Sequence, residues 1–195
     1  MRALCWLAGL CLMTLPAVAG EKSELIVSVG DPAPQFEAID DLGNVWKSTD
    51  RVGKKVIVVY FYPADLTGGC TKQACGYRDQ SSELAQAGVE VVGISGDSAA
   101  NHALFRRVHV LNFALLPDEQ GKIARTFGVP LRDGGSISWS VEGEEKRLTR
   151  GVTAARWTFI IGLDGRIVHK TTSVDPGEDS RNVLKAVRQL VASTR

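Results

Sequence analysis

Two cysteines, Cys70 and Cys75, stand five positions apart behind a turn-rich stretch, Tyr62-Pro63-Ala64-Asp65-Leu66-Thr67-Gly68-Gly69. This is where the chain could do chemistry. The residues around Cys70 read as the start of a helix, and the unpaired N–H groups of a helix N-terminus stabilise an adjacent negative charge. A sulfur there favours its thiolate, which is the nucleophilic form. Thr67 lies three residues before Cys70, about one turn away on the same side, so its hydroxyl can accept a hydrogen bond from a small protic substrate and help hold the thiolate. It also suits a helix N-cap. Gly68 and Gly69 place no side chains over their amides, which lets a small substrate approach the backbone closely. Pro63 ends a strand and offers an apolar wall without an N–H donor beside the sulfur. Taken singly, Pro63, Thr67, Gly68 and Gly69 also describe an ordinary strand-to-helix turn.

The remaining cysteines, Cys5 and Cys11, fall in a different kind of sequence. Arg2 supplies a short positive segment, Ala3 to Leu15 is almost wholly apolar, and Ala17-Val18-Ala19 offers small residues for cleavage. This reads as a secretory signal peptide over residues 1–19 and predicts an exported, periplasmic protein. Its apolar run of about 13 residues is short of the roughly 20 needed to span a bilayer, so no membrane attachment is expected after cleavage. The large Leu10 before Cys11 is wrong for a lipoprotein cleavage site. Export leaves Cys70 and Cys75 as the thiol inventory of the mature chain. A bridge between them would close almost no loop and so stabilise little. Redox chemistry accounts for the pair better than stapling does.

Composition narrows the partners. The chain has 195 residues, 44% hydrophobic and 23% charged, which suits one core and one domain over residues 20–195. Its 23 Lys+Arg against 22 Asp+Glu give a formal net charge of +1, so no global field favours nucleic acid or an anionic membrane. His102, His109 and His169 have no ligand spacing to one another or to the cysteines, and no phosphate loop or nucleotide fingerprint is present. No metal or cofactor is expected. Trp46, Trp139 and Trp157 read as packing residues.

The elements that must position the cysteines follow from periodicity. Gln35 to Ile39 and Asn44 to Lys47 flank a turn and predict a small N-terminal β-hairpin. Val56 to Tyr62 is a β-branched and aromatic run, as expected of a strand buried on both faces. Cys70 to Gln86 is helix-compatible, Val89 to Ser95 is a strand, and Asp97 can cap a helix to about Val108. Phe113 to Leu116 is a short strand and Glu119 to Phe127 a short helix. Leu131 to Gly151 is rich in glycine and reads as a surface insertion, with Ile137 to Val141 and Lys146 to Leu148 as possible hairpin arms. Trp157 to Ile161 and Arg166 to Lys170 pair around Leu163-Asp164-Gly165. A helix from about Glu178 to Ala192 carries Val183, Leu184, Val187, Leu190 and Val191 on one stripe. Two βα units, a terminal β-hairpin and a final helix predict an α/β thioredoxin-like fold, a mixed central sheet with helices on both faces.

Residues Pro63, Thr67 and Cys70 spell Pro-x-x-x-Thr-x-x-Cys, and here the chain resembles the peroxiredoxins, within the alkyl hydroperoxide reductase/thiol-specific antioxidant superfamily, and among them the bacterioferritin-comigratory or Q subfamily. Tyr62, Pro63, Asp65, Thr67, Gly69, Cys70, Thr71, Gln73, Ala74, Cys75, Arg78 and Asp79 stand in register with the subfamily pattern. The likeness extends to Ser95-Gly96-Asp97, Leu116-Pro117-Asp118 and Arg156-Trp157-Thr158-Phe159. It implies a thiol peroxidase acting on hydrogen peroxide and organic hydroperoxides, an atypical two-cysteine enzyme. Cys70 would be the peroxidatic cysteine, Cys75 the resolving one, and Arg156 the distant arginine that pairs with the thiolate. On the residues alone, Arg156 opens a strand expected beside Val56 to Tyr62, and a surface arginine is the other reading. The resemblance further implies a monomer and a thioredoxin-like or other dithiol reductant. Gly68 departs from the pattern, which has proline there, so the loop before Cys70 should be less rigid. Two rivals share the fold: an exported disulfide oxidoreductase, which needs Cys-x-x-Cys, and a copper-binding chaperone, which wants a histidine near the cysteines.

Overall fold

The structure, a computed structural model, describes residues 27–141 and 143–193. The signal-peptide reading over 1–19, with Cys5 and Cys11, lies outside the described residues, as does the side chain of Val191.

The strand β1 (Glu37–Ile39) pairs antiparallel with β2 (Val45–Lys47), giving the N-terminal hairpin expected. The run VIVVYF forms β3 (Val56–Phe61), followed by helices α1 (Gly68–Asp79) and α2 (Ser81–Gln86). The stretch read as one helix from Cys70 therefore starts two residues earlier and breaks at Gln80, whose backbone leaves the helical basin at φ −95°, ψ 5°. Next come β4 (Val89–Ser95), α3 (Ala99–His109), β5 (Ala114–Pro117) and α4 (Lys122–Thr126). Ser98, not Asp97, caps α3, its side chain accepting from the N–H of Asn101. Asp97 is otherwise engaged, since its carboxylate accepts from the Ser95 hydroxyl and the Asp65 N–H.

The glycine-rich stretch is more ordered than its composition suggests. It forms β6 (Leu131–Val141) and β7 (Glu144–Ala154), one long antiparallel hairpin reaching three residues past Gly151. Ile137, Trp139 and Val141 alternate with serines, and Val141 and Leu148 are buried, so the arms pack on the body of the protein. Its base is flush with the loop after β4: a methyl built on Gly96 would lie 2.1 Å from the Val152 carbonyl oxygen. The chain finishes with β8 (Trp157–Ile161), β9 (Ile167–Thr171) and α5 (Asp179–Ser193).

Among the described residues, five strands make one sheet in the order β5-β4-β3-β8-β9. The neighbours β3 and β4 are parallel, as are β4 and β5, whereas β8 runs antiparallel to both β3 and β9. The expected mixed sheet is thus present. Its central strand β3 explains why the run is apolar at every position. Val58, Tyr60 and Tyr62 point into a core shared with Tyr77, Phe105, Val183, Leu184 and Val187, while Ile57, Val59 and Phe61 face Trp46, Phe127 and Phe159. Burying each such side chain is worth about 1.5–3 kcal/mol, which pins the strand and everything attached to its end.

Candidate functional site

The site is built where β3 stops. Tyr62 bonds back to Ile94 through its N–H, and the chain then turns through Pro63 to Leu66 into α1. Leu66 adopts φ +59°, a left-handed conformation that costs a non-glycine residue of order 1 kcal/mol or more. The turn is held by a buried polar cluster beneath it. Asp65 accepts from the Tyr62 hydroxyl at 2.7 Å, pairs with His102 Nδ1 at 2.7 Å, and gives its N–H to Asp97 at 3.0 Å. Burial alone would push the His102 imidazole toward its neutral form; the Asp65 carboxylate, with Asp97 behind it, outweighs this and raises its pKa above the usual value. Burial and the Asp65 charge raise Asp97 in turn.

Cys70 is the third residue of α1. The Thr71 N–H closes the first turn on the Thr67 carbonyl at 2.8 Å, so the N–H groups of Gly68, Gly69 and Cys70 precede the first such helical bond and lie at the positive end of the helix. Thr67 occupies the N-cap position, yet its hydroxyl makes no capping bond and donates instead to the Ala64 carbonyl at 3.0 Å. The N-cap role expected of its side chain is therefore not realised. Its oxygen keeps lone pairs with which to accept.

Arg156 completes the arrangement. It lies just before β8, whose Trp157 pairs with Phe61, so it stands at the end of β3 where the turn begins. Its Nη2 donates to Cys70 Sγ at 3.2 Å and its Nη1 to Gln73 Oε1 at 2.5 Å. Two-point attachment fixes the plane of the guanidinium and aims one of its N–H groups at the sulfur. Gly69 makes room for it: a methyl there would come 3.3 Å from Arg156 Nη2 and 3.6 Å from Pro176 Cγ. Gly68 is exposed, with open space where its side chain would project. Pro63 is half-buried.

Cys70 is buried, Cys75 is half-buried, and both are free thiols. On the wound helix they lie about 140° apart around the axis and rise about 7.5 Å, a Cα separation near 8.6 Å by helix geometry. That exceeds the reach of a disulfide, roughly 6.8 Å at most. The two sulfurs therefore meet only if the start of α1 unwinds.

The structure thus brings Cys70, Thr67, Gly69 and Arg156 together and leaves Cys75 one unwinding away. The sequence reading assigned no role to Gln73, although its place three residues after Cys70 puts it on the same face of α1 and could have signalled one. Asp179 was also missed. It accepts from Gln73 Nε2 at 2.7 Å, and a contact across 106 positions leaves no mark in local pattern. Among the described residues no cluster of His, Cys, Asp and Glu could hold a metal ion, and no helix is long and apolar enough to cross a membrane.

A thioredoxin-like sheet that presents a cysteine at a helix N-terminus, under an arginine and beside a second thiol, defines a thiol-redox protein. The AhpC/TSA family model matches residues 29–170, and the chain belongs to this family, in its peroxiredoxin Q/Bcp branch. It is 39% identical to peroxiredoxin Bcp of Escherichia coli K12 over 143 residues, covering 73% of this chain and 84% of that one. Chloroplastic peroxiredoxin Q of Gentiana triflora is 50% identical over 104 residues, 53% of this chain and 48% of that protein. The chain matches only about half the length of such chloroplastic relatives. In three dimensions it resembles the crystal structure of peroxidoxin BcpB from Mycobacterium tuberculosis, at 29% identity and a TM-score of 0.70, covering 84% of this chain and 98% of that one.

Proposed function

We propose that this chain is a thiol peroxidase that reduces hydrogen peroxide and organic hydroperoxides. The observation that carries the reading is the Arg156 guanidinium 3.2 Å from Cys70 Sγ at the N-terminus of α1. The Cys70 thiolate attacks the terminal peroxide oxygen, forming an S–O bond as the O–O bond breaks, and the leaving oxyanion takes a proton to depart as water or an alcohol. Arg156 and the Cys70 N–H face the charge that develops on the oxygens, stabilisation that grows only in the transition state, while the Thr67 oxygen, its own proton given to the Ala64 carbonyl, accepts from the peroxide O–H. Unwinding of α1 then lets the Cys75 thiolate attack the Cys70 sulfenic acid. The S–S bond forms as hydroxide leaves and is protonated, giving an intramolecular disulfide.

A thioredoxin-like or other dithiol returns both sulfurs to thiols by exchange. The five-position spacing supports this over disulfide exchange by the chain itself, since a Cys-x-x-Cys pair could close without unwinding. A relative's structure concerns alkyl peroxide reduction by the Xanthomonas campestris bacterioferritin comigratory protein, which suits the substrate class offered here. The mature protein acts as a monomer in the periplasm, free of the membrane, after cleavage of residues 1–19; the charged start, apolar run and small residues at Ala17 to Ala19 support export. N-terminal sequencing of protein from the periplasmic fraction checks that part.

The test of the activity is peroxide consumption by the mature protein with a dithiol reductant. Wild type turns over, Cys70→Ser is inert, and Cys75→Ser, given peroxide without the dithiol, consumes one equivalent and stops as the sulfenic acid. Sustained turnover by Cys70→Ser would end the reading.

A further inference from the structure

A buried carboxylate at the start of α5 lies outside the mechanism. Asp179, the first residue of α5, is 3% exposed and forms no ion pair with Lys, Arg or His among the described residues. Its Oδ2 accepts from the Tyr77 hydroxyl at 2.6 Å, Gln73 Nε2 at 2.7 Å and the Thr158 hydroxyl at 2.8 Å. A carboxylate out of water is costly unless its oxygens are bonded, and here three neutral donors from α1 and β8 converge on one oxygen.

Gln73 is the link to the sulfur. Its amide has one acceptor and one donor end, and both are committed: the oxygen to Arg156 Nη1, the nitrogen to Asp179. Reversing the amide would set NH2 against guanidinium and oxygen against carboxylate, so Asp179 dictates which way it points. A continuous path results, Asp179 to Gln73 to Arg156 to Cys70 Sγ, with every bond between 2.5 and 3.2 Å. The approach of α5 supports the same corner: Pro176 packs beside Gly69, and Gly177 lies against Lys72.

We propose that Asp179 is a positioning residue for peroxide reduction. Through Gln73 it aims the Arg156 guanidinium at Cys70 and at the same time clasps the start of α1 in its wound form. The proposal rests on the peroxidase reading above. It carries a consequence with two signs. Unwinding residues 70–75 pulls Gln73 away from both partners, so the contact that speeds attack on peroxide opposes disulfide closure.

The experiment measures the two steps separately by stopped-flow fluorescence, with Trp157, the residue after Arg156 in sequence, as reporter, in wild type, Asp179→Ala, Asp179→Asn and Gln73→Met. Asp179→Ala slows oxidation of Cys70 by hydrogen peroxide about 10-fold or more, because a misaimed guanidinium stabilises the transition state poorly. It leaves Cys70–Cys75 closure as fast as wild type or faster. Asp179→Asn keeps an acceptor oxygen and stays within about 3-fold of wild type in the first step. Gln73→Met, which keeps Asp179 bonded to Tyr77 and Thr158, reproduces the slow first step and decides the matter if Asp179→Ala does not fold. A general structural defect would slow both steps together and would not be restored by asparagine. The positioning role is overturned if wild type reacts but Gln73→Met or folded Asp179→Ala oxidises at the wild-type rate, or if both steps fall in parallel. Unreactive wild type overturns the peroxidase reading itself, and this role with it.

Discussion

The Arg156 guanidinium meets the Cys70 sulfur at 3.2 Å across 86 positions of sequence, joined by the pairing of Phe61 with Trp157. The contact exists because two strands with opposite directions bring the start of one and the end of the other to the same edge of the sheet. Arg156 holds two partners at once, and lysine cannot, having a point charge in place of a planar fork. We expect Arg156→Lys to lower the second-order rate constant with hydrogen peroxide about 100-fold, the size of effect seen when one oriented donor is removed from a charge-stabilising site. Competition against a reference peroxidase measures it.

Gly69 sets stability against rate. Alanine at this second position of α1 gains helix propensity of about 1 kcal/mol, yet its methyl would lie 3.3 Å from Arg156 Nη2 and force a shift of a few tenths of an ångström. Gly69→Ala should unfold at equal or higher denaturant concentration while consuming peroxide several-fold more slowly. Denaturation curves and initial rates on the same preparation check both halves.

Gly68 is the first residue of α1, and Thr67 before it holds φ −76°, ψ 147°, a conformation that a following proline permits. Proline at this helical position gives up an N–H that has no intrahelical partner. Gly68→Pro should therefore stabilise the protein by about 1 kcal/mol, chiefly by restricting the unfolded chain. It should also slow disulfide closure, because the turn that must unwind is stiffer. Hydrogen exchange across residues 68–75 reads this out: protection is lost on oxidation in wild type, and the loss develops more slowly in the variant.

The His102–Asp65 pair gives a pH signature. Because the folded imidazole titrates above its unfolded value near 6.5, the pair's stabilisation is fully present below about pH 6.5 and is lost as pH rises through the folded value. The difference in unfolding free energy between wild type and His102→Gln should thus be larger at about pH 6 than at about pH 9. Urea titrations at the two pH values decide, and a gap that widens toward alkaline pH would contradict the pairing.

These sites were legible in the sequence to different depths. Val89 to Ser95 and Trp157 to Ile161 were bounded correctly because segments rich in β-branched and aromatic residues are flanked by Gly88 and Gly96 in the one case and by Arg156 and Gly162 in the other. Cys70 was legible through residue types that belong to one chemistry, whereas Arg156 was singled out by the family resemblance, its residue type alone leaving a surface role open. The hairpin from Leu131 to Ala154 was only half read, since Gly134 and Gly135 interrupt the alternation that Ile137, Trp139 and Val141 later make plain. Thr67 and Asp97 had the right types to cap, but stronger claims on their side chains lie in three dimensions: the Ala64 carbonyl for one, the Asp65 N–H and Ser95 hydroxyl for the other. Asp179 was invisible for the same reason, because its partners come from α1 and β8 and no local pattern records them.

The central claim is that Cys70, held under Arg156, is the atom that breaks the peroxide bond. Its most direct test treats Cys75→Ser with one equivalent of hydrogen peroxide, adds a carbon acid that traps sulfenic acids, and maps the adduct by mass spectrometry. The account predicts a single adduct on Cys70, formed quickly and absent from Cys70→Ser. An unmodified Cys70 with the peroxide still in solution would contradict it.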